Sequence, residues 1–306
     1  SGTLRETGET IVPMKAGIVA FFANLLLDYS LIFGKFGFPE LGVRGAAIAT
    51  VIARIAEVAV VMAWAHSHTA EKPFIRGVYR SFHVPMDLVK EVIKKGTPLL
   101  LNETLWAGGM AMLVRCYSSR GLVVVAGINI ATTLSNMFSI VYIAMGSAIG
   151  IILGQLLGAG KMEEAVDTDR KLIFFSVASC LGVAILMIIV SPFFPQIYNT
   201  SDDVKYIAAW IIRVLAVCMP LNAFMNSTYF TLRSGGKTIV TFLFDSFYIW
   251  VVDIPAAILL INYTDWNVIL VYFLVQMMEI VKCIIGYVLV KKGVWLNNMT
   301  IKAANS

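Results

Sequence analysis

Charge is scarce in this sequence. Only 14% of the residues are Asp, Glu, Lys or Arg, against about a quarter in a soluble domain. Histidine is scarcer still, with three copies, none inside an apolar run. No HExxH, GxSxG, Walker loop or dinucleotide fingerprint occurs, so the chemistries those motifs carry have no foothold. The chain is expected to be no enzyme and to need no cofactor or bound metal. The four cysteines, Cys116, Cys180, Cys218 and Cys283, show no CxxC spacing and no disulfide framework, which leaves the redox compartment open. No cleavable signal peptide is found, and the first residue is Ser, so a start further upstream is expected.

What the chain has in abundance is apolar surface. Hydrophobic residues make up 58% of it and the mean hydropathy is +0.80. Apolar runs of 18 or more residues predict an all-α polytopic membrane protein. Eight spans are expected, at 11–33, 44–65, 97–117, 127–157, 171–191, 205–232, 238–261 and 267–290. The lipid bilayer is therefore the first partner, and the net charge of +5 is no nucleic-acid footprint.

The basic residues are sorted by side. One set of loops and ends holds Arg5, Lys15, Lys72, Arg76, Arg80, Lys90, Lys94, Lys95, Lys161, Arg170, Lys171, Arg233, Lys237, Lys291, Lys292 and Lys302. The opposite loops hold Lys35, Arg44, Arg120 and Lys205. The excess places both ends of the chain in the cytoplasm, in a plasma-membrane protein.

A phrase is repeated. Leu4–Val12 reads LRETGETIV and Leu232–Val240 reads LRSGGKTIV, 228 residues apart. Such a period points to a duplicated bundle. Arg54 and Lys282 share the same offset. With the second copy starting near Thr97, the first would start about 130 residues before this chain, leaving room for four more helices. The expected whole is a twelve-helix, two-lobed (6+6) protein. Residues 1–65 would be the last two helices of the N-lobe, 66–96 a cytoplasmic linker, and 97–306 the six-helix C-lobe with a short tail. The linker contains His66, His68 and His83, read as solvated, and an amphipathic stretch at Met86–Lys95 expected to lie along the membrane surface.

Ionisable groups at membrane depth cost at least about 2.5–3.5 kcal/mol and so point to function. Asn24 and Asp28 lie four apart, on one helix face. Asp28 sits ~7.5 Å from the outer end of its span and Thr50 ~9 Å into the next, antiparallel one. The three can share one depth, and a carboxylate, an amide and a hydroxyl are hard oxygen ligands suited to Na⁺, or to a proton on the Asp. Glu103 and Asp245 lie ~9–10 Å from the inner end of their spans, suited to lining a water-filled cavity. Arg54 with Glu57, and Glu279 with Lys282, read as ion pairs or snorkelling groups. Arg213 would snorkel outwards. Gly146, Gly150, Gly154 and Gly158 recur every fourth residue as a small-residue packing ridge. Pro220 and Pro255 interrupt long spans, and Asn222 and Asn226 share a face beyond the first.

NLLLDYSLIFGKFGFPELGVRGAAIAT (24–50), NETLWAGGM (102–110), GQLLGAGKMEEA (154–165) and LRSGGKT (232–238) occur in order with their spacing intact. In these motifs the chain resembles the multidrug and toxic compound extrusion family. The resemblance implies a secondary antiporter that exports small organic, often cationic, compounds in exchange for Na⁺ or H⁺, and a monomer when whole. It gives Asn24, Asp28 and Thr50 the family's N-lobe cation site, completed there by an Asp on the first helix, a helix this chain does not include. Glu103 matches a C-lobe Glu of many members. Asn222 stands where some carry a partner Asp, eleven residues before Arg233. Glu103, Trp106, Asn222 and Asp245 are then the expected substrate or proton contacts. Two other readings are a lipid-linked oligosaccharide flippase of the same architecture, which would want a basic cavity, and a membrane receptor or scaffold without transport.

Overall fold

A backbone crossing hydrocarbon must bond its own N–H and C=O groups, and long apolar segments do so as helices. The computed structural model describes residues 1–68 and 84–297, so Lys72, Arg76, Arg80, His83 and Lys302 lie outside the described residues. Every regular element described is helical. The contacts divide the chain into two compact units, Ser1–Met86 and Asp87–Ser306. In the first, a short α1 (Gly2–Glu6) precedes α2 (Ile11–Ile32) and α3 (Val43–Ser67). The second is built from α4 (Met86–Ser118), α5 (Leu122–Gly158), α6 (Met162–Val190), a 3₁₀ turn at Phe194–Ile197, α7 (Asp202–Ser234), α8 (Thr238–Tyr263) and α9 (Val268–Lys291).

Seven of these helices are long and apolar enough to cross a membrane. The remaining expected span, 97–117, lies within α4, which is long enough at 33 residues. Asn102, Glu103 and Arg115 make it less apolar than the others. The Met86–Lys95 stretch is not a separate surface element. It forms the first turns of α4, because neither Gly96 nor Pro98 breaks the helix there.

The repeated phrase is also a repeated structure. Leu4 and Leu232 are both buried, at 3% and 0% exposure. The amide of Gly8 bonds the carbonyl of Arg5 at 3.0 Å, and that of Gly236 bonds Arg233 at 2.9 Å. Gly8 and Gly236 have φ of +89° and +72°, a conformation that L side chains avoid. Each copy ends one helix, turns on its glycine and opens the next. The shared glycine is the residue the turn requires.

α7 is the axis of the second unit. Ile211, Ile212, Ala216, Met219 and Ala223 are buried along it, and α5, α6 and α9 pack around it. Lipid is as apolar as leucine, so close packing rather than exclusion of water drives such contacts. Glycines permit it. A Cβ at Gly127 would lie 2.7 Å from Ile207 of α7, and one at Gly146 would collide with Asn226 and lie 2.7 Å from Phe230. Gly150 also faces Phe230, whereas nothing lies within 4 Å of a Cβ at Gly154 or Gly158. The glycine ridge therefore serves α7 over half its length. Arg213 does not simply snorkel; its guanidinium stacks 4.6 Å over Trp210 and its Nε donates to Ser191 at 3.1 Å.

Gly235 is held for a different reason from its neighbour Gly236. A side chain there would strike the backbone carbonyl of Trp295. Gly235→Ala should lower thermal stability in detergent by about 1–3 kcal/mol. Gly154→Ala should be neutral or stabilising by up to roughly 1 kcal/mol. Thermal unfolding of the two variants side by side checks both signs.

Candidate functional site

In the first unit the small face of α3 lets two helices meet closely. Gly45, Ala49 and Ala53 are buried, and a Cβ on Gly45 would lie 2.5 Å from the carbonyl oxygen of Leu31 on α2. This contact pins the start of α3 to the end of α2. Asp28 and Thr50 lie ~4.5 and ~7.5 Å further in along their helices. Asn24 sits one turn behind Asp28.

The three side chains have different surroundings. Asn24 Nδ2 and Asp28 Oδ1 are buried, and neither has a hydrogen-bond partner among the described residues. Thr50 is exposed, and its hydroxyl donates to the carbonyl of Ala46 at 2.9 Å. No hydrogen bond among the three is formed. A buried carboxylate oxygen without a donor has an unmet demand for positive charge, and either a proton or a hard monovalent cation meets it. Thr50 keeps its lone pairs for such an ion after donating its proton to the backbone. Among the described residues there is no cluster of three or more His, Cys, Asp or Glu able to hold a metal.

In the second unit, Glu103 and Trp106 are one turn apart on α4 and both exposed, Trp106 at 42%. Their neighbour Asn102 is the buried member of that motif, at 2%. Its side-chain and backbone oxygens accept the Ser246 hydroxyl at 2.8 and 2.6 Å, and its Nδ2 reaches Asp245 Oδ2 and the Tyr229 hydroxyl, each at 3.4 Å. The glycines after it are packing devices, since a Cβ at Gly109 would lie 2.6 Å from Ile249 of α8. Trp250 of α8 donates to the carbonyl of Leu105 at 2.9 Å.

Asp245 is held by an ion pair. Lys282 Nζ lies 2.9 Å from Asp245 Oδ1 and 3.7 Å from Glu279 Oε2, and its side chain is only 6% exposed. Lys282 therefore does not snorkel; it points across from α9 to α8. Arg54, at the equivalent repeat position, pairs with Glu57 at 2.7 Å and is 74% exposed. Asn222 is half-buried on α7.

Two buried acids were not singled out from sequence. Asp169 of α6, 1% exposed, accepts the Thr231 hydroxyl at 2.6 Å. Asp253 of α8, 3% exposed, has an Oδ1 with no partner among the described residues. The signal for Asp253 is an acid that closes the aromatic and branched run Phe247–Val252, eight residues after Asp245.

Removing one member of a buried pair strands the other, at a cost of about 3–5 kcal/mol. Lys282→Met should destabilise the protein by that order. Combining it with Asp245→Asn should recover part of the loss, and a double-mutant cycle of thermal unfolding measures the coupling.

Residues 98–259, more than half of the chain, match the family model MatE. The "Probable multidrug resistance protein NorM" of Thermotoga maritima is 25% identical over 265 residues, covering 86% of this chain and 56% of the relative. The chain thus spans about half the length of the curated relatives it matches. Among solved structures, the outward-facing form of a multidrug resistance MATE family transporter of the MOP superfamily superposes with a TM-score of 0.79 at 20% identity, over 94% of this chain and 63% of the other. A MOP superfamily transporter from Pyrococcus furiosus, described as having a binding pocket of reverse polarity, superposes at 0.80 and 20% identity over 100% of this chain and 66% of the other. The chain belongs to the MatE family, that of the multidrug and toxic compound extrusion proteins.

Proposed function

We propose that this chain is part of a secondary antiporter in the plasma membrane that exports small organic, often cationic, compounds in exchange for Na⁺ or H⁺. Relatives of this kind are transporters and not enzymes, and the reading assigns the chain no catalytic step. Residues 1–65 are read as the closing helices of one lobe, 66–96 as the cytoplasmic linker and 97–306 as the second lobe, with both ends in the cytoplasm. The basic bias of the loops supports this orientation.

The observation that carries the reading is the pair of buried, unpartnered polar atoms on one face of α2, Asn24 Nδ2 and Asp28 Oδ1. In hydrocarbon such atoms are costly; a bound cation or proton compensates the Asp28 oxygen, whereas the Asn24 N–H needs an acceptor and Asn24 would meet an ion with its amide oxygen. Asp28 would carry the charge of the coupling ion, with Asn24 and Thr50 as neutral oxygen ligands. Binding drives transport only through differential affinity for the inward and outward states, and inverting a 1:99 population takes about 5.5 kcal/mol. Glu103 and Trp106 would meet the exported compound, because an indole face beside a carboxylate suits an organic cation. Asn222 is assigned to the same contact surface, and Asp245, held by Lys282, to the support of Asn102 beneath it.

In proteoliposomes containing the intact protein, Asp28→Asn should reduce gradient-driven efflux about tenfold or more. Glu103→Gln should weaken substrate affinity and leave ion dependence in place. Efflux by Asp28→Asn at the wild-type rate would show that Asp28 does not couple.

A further inference from the structure

The second unit contains a set of charges that does not balance. Asp245 and Asp253 of α8 and Glu279 and Lys282 of α9 supply three carboxylates and one ammonium to one buried region. Lys282 is committed to Asp245 at 2.9 Å, and its ammonium also lies 5.5 Å from the Phe244 ring and 6.0 Å from the Tyr248 ring. Asp253 is 3% exposed, and its Oδ1 has no hydrogen-bond partner among the described residues. Glu279, with an 18% exposed side chain, likewise leaves Oε2 without a hydrogen bond and 3.7 Å from the ammonium.

Among the described residues, no element around these two acids supplies a second cation. Facing them are Tyr117 of α4, Cys218 of α7, Asp245 and Tyr248 of α8, and Lys282 and Cys283 of α9. The Tyr248 hydroxyl is already used, donating to the carbonyl of Met278 at 2.6 Å. The bond from Tyr248 to the carbonyl of Met278 sets α8 against α9 five residues before Asp253 and one before Glu279, which brings both acids to this seam. A metal ion would have to share Asp245 and Glu279 with an ammonium that already occupies the space between them. The backbone around Asp253 is itself unusual: α8 is π-helical over Leu243–Phe247 and Ile249–Asp253, a form that recurs at functional sites.

We infer that Asp253 and Glu279 form a proton-binding site, distinct from Asp28, in which one dissociable proton is carried on one or the other acid while Lys282 and Asp245 stay ion-paired. The step is a simple equilibrium: a solvent proton adds to a carboxylate oxygen, and the cluster changes from two excess negative charges to one. Protonation removes repulsion between α8 and α9 beside the Tyr248–Met278 contact. The site stands whether or not Asp28 couples transport, because its test reads proton binding and not flux.

The test is the infrared difference spectrum of the purified intact protein between alkaline and acidic pH, in the region of protonated-carboxyl stretching. Wild type should show a pH-dependent band that survives in Asp28→Asn and is lost in the Asp253→Asn/Glu279→Gln double variant. Each single variant keeps side-chain volume and removes a buried charge, so each is expected to fold, and at least one should weaken the band. A double variant with the full band would overturn the inference. So would a wild-type band abolished by Asp28→Asn alone, a result that needs no variant in the second unit.

Discussion

A polar group in hydrocarbon has no water to fall back on, and most of this fold follows from that constraint. The helices answer it for the backbone. Where a helix ends, other groups answer it. Arg120, in the turn between α4 and α5, donates to the carbonyls of Ile261 at 2.7 Å and of Thr264, closing the end of α8 where its last carbonyls lack intrahelical partners. Serine and threonine hydroxyls along the spans return their protons to carbonyls three or four residues back, as Thr50, Thr97, Thr104 and Ser147 do. Buried acids follow the same rule where they can: Asp169 takes Thr231 and Asp245 takes Lys282. The few groups that break the rule are therefore informative, and Asp28 and Asp253 are two of them.

Close packing is the second determinant. Glycine is used where one backbone must reach another, as at Gly45 against Leu31 and Gly235 against Trp295, and where a turn needs positive φ, as at Gly8 and Gly236. The two uses stand side by side in LRSGGKTIV. The earlier copy retains only the glycine of the turn, with Thr7 where Gly235 would be. The two copies share the helix–turn–helix geometry while their surroundings differ. Arg54 is left exposed in one copy and Lys282 is buried in the other.

Much of the helical order was legible because apolar length alone decides it. The expected spans agree with the helices to within a few residues at most ends. The largest exceptions, the starts of α4 and α6, arise where charge rather than apolarity marks the sequence. The polar start of α4 reads as a surface stretch, yet backbone bonding carries the helix through it. The LRxxGxTIV repeat predicted duplication, and its turn geometry follows from one glycine. Side-chain partners were less legible. Spacing puts Glu279 and Lys282 on one helix, but it does not reveal that Lys282 turns towards Asp245, 37 positions earlier. Within NETLW, charge draws attention to Glu103, while tertiary packing buries Asn102. A carboxylate's role depends on its neighbours, and these come from helices distant in sequence.

The central claim is that buried acids left without a hydrogen bond bind ions and hydrogen-bonded acids hold the fold. An apolar carbodiimide, which enters membranes and modifies protonated carboxyls, tests this directly when labelling sites are read by mass spectrometry. The account predicts labelling at Asp28 and at Asp253 or Glu279, falling as pH rises, with Asp169 and Asp245 protected by Thr231 and Lys282. Labelling of Asp169 and Asp245 while Asp28, Asp253 and Glu279 stay unmodified would contradict it.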